Sequence, residues 1–145
     1  MEIYTIGFGG KTAEQFFESL KQVHVQQLVD VRLNNVSQLA GFTKKSDLPY
    51  LLSKVAGIQY RHEPLLAPLP DMLKAYRRKE MDWATYEALY LDLLLKRNAA
   101  VALRADDFSE RLVFLCSEPT PDKCHRRLAA EYLQSRWTNV RINHL

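Results

Sequence analysis

Two short runs constrain the fold of this chain more than any other feature: Leu-Val-Phe-Leu-Cys at 112–116 and Gln-Leu-Val-Asp-Val-Arg at 27–32. Both are apolar at consecutive rather than alternate positions, so a strand made from either must be covered on both faces. Strands of that kind belong to parallel sheets sandwiched between helices. The second run turns charged at its end, through Asp30 and Arg32, which places polar groups at the carboxyl edge of such a sheet.

The intervening segments carry the helical period that this architecture requires. Residues 12–23 space Phe16, Phe17, Leu20 and Val23 along one face, and Thr12 with Gln15 fits a capping box. Residues 47–56 set Leu48, Leu51, Leu52 and Val55 on one face ahead of a Gly57 stop. Asp82 caps a helix to about residue 96 whose stripe of Trp83, Tyr86, Tyr90, Leu93 and Leu94 reads as core. Thr120-Pro121-Asp122 has the N-cap, first-position proline and first-turn acid of a helix start, predicting a helix to about residue 136. Strands are expected at 1–8, 58–62 and 140–145, a loop at 33–45, and an irregular loop at 63–70, where three prolines remove backbone donors. The sum is a single α/β domain over 1–145, three-layer α/β/α with a largely parallel, Rossmann-like sheet. Composition agrees: 145 residues, 47% hydrophobic and 26% charged, suit one globular domain with a packed core.

Ligands of open parallel sheets bind where the strands end and helices begin. Those positions here are Gly7 and Gly9, Asp30 and Arg32, residues 61–63, and Cys116 to Glu118, joined by Cys124, His125 and Arg126 of the last helix. Gly7-Phe8-Gly9-Gly10-Lys11-Thr12 lacks the third glycine of a dinucleotide fingerprint, and Thr5 stands where a P-loop needs glycine. What remains is a glycine turn able to offer backbone N–H groups to a small anion. Neither cysteine has an arginine six residues on, as a cysteine phosphatase loop requires, and there is no C-x-x-C. A metal is not expected, because the adjacent Cys124-His125 pair would struggle to converge with Cys116. No cofactor is assigned.

Net charge is +3, and residues 123–145 carry Lys123, Arg126, Arg127, Arg136 and Arg141 against Glu131 alone, which favours an anionic ligand or partner there. The expected site therefore has Arg32 and Arg126 as anion contacts and Glu118 with His125 as an acid/base pair oriented by Asp30. Cys124 is a thiol activated by the helix N-terminus, and Gly7, Gly9 and Cys116 line the ligand. An anionic small molecule, nucleotide-like, or a nucleic-acid end is the expected partner. The alternative is a non-catalytic nucleic-acid or protein adaptor using the basic C-terminal segment. No apolar run approaches 18 residues and no signal-peptide pattern opens the chain, so a cytoplasmic protein without membrane contact is expected.

Several of these segments occur together in order: Thr5-Ile6-Gly7, Leu28-Val29-Asp30-Val31-Arg32, Gly57-Ile58 with Tyr60, Leu115-Cys116-Ser117-Glu118, Cys124-His125-Arg126, and the closing Val140 to Leu145 with His144. In this the chain resembles the domain of unknown function 488 family, uncharacterised bacterial and archaeal proteins. The resemblance implies an α/β domain and names no reaction. The family commonly continues T-I-G with His and Ser, where this chain has Phe8 and Gly9, and places a proline near the position of Asn34 or Asn35.

Overall fold

A computed structural model describes residues 1–36 and 40–145. Its centre is a five-stranded, wholly parallel sheet of β1 (Glu2–Gly7), β2 (Gln27–Asp30), β3 (Gln59–His62), β4 (Arg111–Cys116) and β5 (Arg141–His144), in the order β3-β2-β4-β1-β5. The two runs that are apolar at consecutive positions lie inside the sheet: every residue of β2 and all of β4 beyond Arg111 are buried. β3 and β5, whose sequences are more polar, take the half-exposed edges.

Alternation along the strands sends side chains into two cores. Ile3, Val29, Leu112 and Phe114 meet α3 (Pro70–Arg77), α4 (Trp83–Lys96), α5 (Ala99–Ala102) and α6 (His125–Gln134) on one face. Tyr4, Ile6, Leu28, Val113 and Leu115 meet α1 (Ala13–Gln22) and α2 (Leu48–Leu51), with the π turn that extends α2, on the other. This is the three-layer α/β fold expected. Among the described residues, no helix is long and apolar enough to cross a membrane. The capping box forms at Thr12, whose hydroxyl accepts from the Gln15 N–H at 3.1 Å while Gln15 Oε1 accepts from the Thr12 N–H at 2.9 Å. Asp82 likewise caps α4 by accepting from the Thr85 N–H at 2.8 Å.

Several elements differ from the sequence reading. The helix expected over 47–56 widens into a π turn at Leu52–Ala56, which breaks the helical period and leaves Val55 exposed, and α5 is unforeseen. The proline-rich segment holds a 3₁₀ turn at Pro64–Leu66, and Pro70 opens α3. A proline at the first helical position gives up an N–H that would have no intrahelical partner anyway, so it starts a helix as readily as it breaks one. The last helix begins at His125 rather than near Thr120, and its own arginines reach back to the carbonyls of the segment ahead of it. Arg126 Nη1 donates to the Glu118 carbonyl at 2.6 Å, and Arg127 Nη2 donates to the Asp122 carbonyl at 3.2 Å. Part of the expected loop at 33–45, residues 37–39, lies outside the described residues.

Candidate functional site

The carboxyl end of β4 and the start of α6 form one chemical unit. After Cys116 the chain loops out through 117–123 and returns so that Cys124, in extended conformation (φ −140°, ψ 134°), is the N-cap residue of α6. The return brings Cys124 and His125 against Cys116: the donor atoms of the three residues all lie within 4.8 Å of one another, and all three residues are buried. Both thiols are free. His125 Nδ1 stands 3.7 Å from Cys116 Sγ, and its Nε2 is 2.9 Å from the Val31 carbonyl. A carbonyl only accepts, so Nε2 carries the hydrogen, and Nδ1 faces the sulfur as a lone pair when the ring is neutral and as an N–H donor to a Cys116 thiolate when the ring is charged.

Electrostatics differentiate the three groups. The Cys116 thiol is held well below its ordinary value, first by the hydrogen bond Cys124 donates to it and then by the His125 charge and ring. The same bond pushes Cys124 up, burial and the negative charge of Cys116 adding to it. For His125, burial opposes the charged form, but Cys116 and the Val31 carbonyl outweigh it and the net shift is upward. Thiolate character thus belongs to Cys116, the strand residue, and not to Cys124.

Arg126 lies behind this cluster with no solvent exposure. Its Nη1 donates to the Glu118 carbonyl and, at 3.4 Å, to Cys124 Sγ, while Nε and Nη2 have no partner among the described residues. It also explains Gly7: a Cβ there would sit 1.6 Å from the Glu118 carbonyl oxygen and 3.0 Å from Arg126 Nη1.

A cavity of about 60 Å³ opens on the cluster, lined by Cys116, Cys124 and His125 together with Ser117 and Glu118. Tyr76, Trp83 and Tyr86 form an aromatic part of its wall, with Trp83 and Tyr86 stacked at 5.4 Å, and Arg77 and Lys123 stand among the lining residues. A wider groove of about 770 Å³ lies over the Phe8 to Lys11 turn and Phe42, and shares Asn34, Arg77, Ser117 and Glu118 with the cavity.

The expected residues therefore fall into two groups. Cys116, Glu118, Cys124, His125 and Arg126 come together on the α4–α6 face. Asp30 and Arg32 pair on the opposite face, where Arg32 Nε and Nη2 each donate to Asp30 at 2.8 Å and Nη2 donates to the Thr43 carbonyl at 2.6 Å. The Tyr60 hydroxyl donates to the same carboxylate at 2.8 Å. Asp30 thus orients Arg32, and the group that orients His125 is the Val31 carbonyl. The guanidinium of Arg32 is committed to Asp30 and Thr43, although the residue also borders the cavity. Gly7 and Gly9 serve close approach: the Phe8 and Gly9 N–H groups donate to the carbonyls of Cys116 and Ser117 at 3.2 and 3.0 Å, closing the gap between β1 and β4. Gly9 borders the groove, whereas Gly7 lines neither space.

Sequence reasoning missed Tyr76 and Arg77, which arrive on the unforeseen α3, and placed Trp83 and Tyr86 wholly in the core. The Val31 carbonyl has no side-chain signal. The expectation that Cys124 and His125 would struggle to converge with Cys116 is corrected by the extended N-cap conformation of Cys124, which brings two successive side chains to one strand end.

No curated protein and no solved structure gave a significant match to the chain. The family profile described as Domain of unknown function DUF488 matches residues 12–133, which include Asp30 to Arg32, Tyr60, Cys116 to Glu118 and Cys124 to Arg126 but not Thr5 to Gly7 or β5. With most of its 145 residues so matched, the chain belongs to the DUF488 family.

Proposed function

We propose that this protein is an enzyme acting on a phosphate-bearing ligand, a nucleotide or nucleic-acid end. The reacting group enters the cavity above Cys116, and the remainder of the ligand lies in the adjoining groove. The observation that carries this reading is the shared wall: Asn34, Arg77, Ser117 and Glu118 border both spaces. At about 10–15 Å³ of such space per water, the cavity admits roughly four to six waters, a group of phosphate size and not a whole nucleotide.

Charge supports an anion. Arg77 and Lys123 border the cavity, Lys11 borders the groove, and the buried guanidinium of Arg126 has no carboxylate partner among the described residues. An uncompensated buried cation is costly, and negative charge on the neighbouring thiols or on a ligand offsets it. Glu118, which borders both spaces, is the proposed acid/base for the bound group, and Cys116, Cys124 and His125 form the floor beneath that group.

Calorimetry with inorganic phosphate, adenosine 5′-monophosphate and a 5′-phosphorylated oligonucleotide tests the proposal. The nucleotide is expected to bind more tightly than phosphate, and Arg77→Ala or Lys123→Ala to weaken it about tenfold each, the size of one charge-assisted hydrogen bond. Binding indifferent to both substitutions would sink the assignment of this cavity. Tight, steeply salt-dependent binding of the oligonucleotide with no response to the mononucleotide would favour the adaptor reading instead.

A further inference from the structure

The geometry points to a metal site: Cys116, Cys124 and His125 are three ligands of a single zinc-type ion whose fourth position opens into the cavity. Two thiolates and one imidazole suit a borderline-soft divalent ion, and three protein ligands with one position left open is the composition of catalytic rather than structural zinc centres. The spacing fits. Tetrahedral zinc bonds of the usual lengths put neighbouring donor atoms about 3.6–3.8 Å apart, and His125 Nδ1 already stands 3.7 Å from Cys116 Sγ. All three donors lie within 4.8 Å of one another, so small side-chain rotations close the rest.

The surroundings are those a metal site requires. His125 presents Nδ1 because Nε2–H is held by the Val31 carbonyl at 2.9 Å, the outer-shell bond that fixes tautomer and ring plane in metal-binding histidines. Arg126 Nη1 donates to Cys124 Sγ at 3.4 Å, a bond that stabilises a coordinated thiolate. Two thiolates cancel the charge of a divalent ion and leave Arg126 as a net positive charge beside the centre, which favours an anion at the open position. All three ligands line the cavity with Ser117 and Glu118, so a molecule on the metal faces both.

Cobalt(II) tests the site on the unmodified full chain. The reduced protein, stripped with chelator, is titrated with cobalt(II) and, separately, with zinc, and the retained metal is counted after desalting, with no anionic ligand present. One equivalent is expected, with thiolate-to-cobalt charge-transfer absorption and tetrahedral visible bands. Cys116 and Cys124 are the only two thiols in the chain, so that absorption can arise nowhere else. Cys124→Ser, nearly isosteric, is expected to lower retention at least tenfold, and His144→Gln to leave it unchanged. No retained metal, or retained cobalt without thiolate absorption, overturns the site; the second result would be an adventitious ion on His24, His62, His144 or carboxylates. If Cys124→Ser fails to fold, the cobalt spectrum of the parent chain still supports or overturns the site by itself.

Discussion

At the scale of single residues, the glycines divide by what surrounds them. Gly7 has no room for a side chain, since its Cβ would lie 1.6 Å from a backbone carbonyl oxygen, whereas Gly10, at φ +74°, faces open space. Gly7→Ala is therefore expected to cost about 3 kcal/mol or more through overpacking against backbone that cannot yield. Gly10→Ala should cost about 1 kcal/mol, the strain of a left-handed conformation alone. Urea midpoints for the two variants check this, and equal losses would contradict it. The buried Asp30–Arg32 pair is held by a third partner, Tyr60, whose phenol is pushed up by burial and then by the Asp30 charge. Because the folded chain favours the protonated phenol, this stability is complete below about pH 10 and is lost as the pH rises past that value. Tyr60→Phe should lower stability by about 1–2 kcal/mol at neutral pH and flatten the alkaline decline. Parallel stability curves for the two proteins above pH 10 would show that the Tyr60–Asp30 bond is not what titrates.

At the scale of elements, local signals succeed where the backbone has no competing partner. Thr12 and Gln15 satisfy each other's orphan N–H groups on an exposed turn, and α1 starts where its sequence says. Thr120-Pro121-Asp122 has an equally good local pattern, yet α6 starts only at His125, with the guanidinium groups of Arg126 and Arg127 bonded to the carbonyls of Glu118 and Asp122. Thr12→Ala should then destabilise the protein by about 1 kcal/mol, while Thr120→Ala stays within about 0.5 kcal/mol of the parent. Thermal melts separate the two, and a comparable loss at Thr120 would mean that its cap forms in solution. The same contrast explains what was legible beforehand. The runs at 27–32 and 112–116 disclosed a doubly covered parallel sheet because burial on both faces leaves no polar alternation. The strand order β3-β2-β4-β1-β5 was not legible, since it depends on which loops cross over which strands. Of the site, Cys124, His125 and Arg126 stood out as adjacent chemical side chains, but their meeting with Cys116 depends on one extended residue at a chain reversal. The aromatic wall was hidden because Pro70 reads as a breaker, so α3 and its Tyr76 and Arg77 had no element to sit on.

At the scale of the molecule, one sheet carries two polar clusters back to back at its carboxyl end. One is sealed: Asp30, Arg32, Thr43 and Tyr60 bond one another. The other, above Cys116, adjoins a cavity and leaves two guanidinium nitrogens without a partner among the described residues. The sealed cluster stiffens the end of β2, including the Val31 carbonyl that holds His125, so the fixed side of the sheet supports the reactive one. The two tryptophans pack against the same core but have different neighbours. Trp83 stacks on Tyr86 in the wall of the cavity, while Trp137 packs on Phe108, donates its ring N–H to the Leu103 carbonyl at 3.1 Å and does not line the cavity. The protein thereby contains its own optical reporter: in a Trp137→Phe background all indole emission comes from Trp83. Whatever enters beside Cys116, metal or anion, should register as a change in that fluorescence without any label.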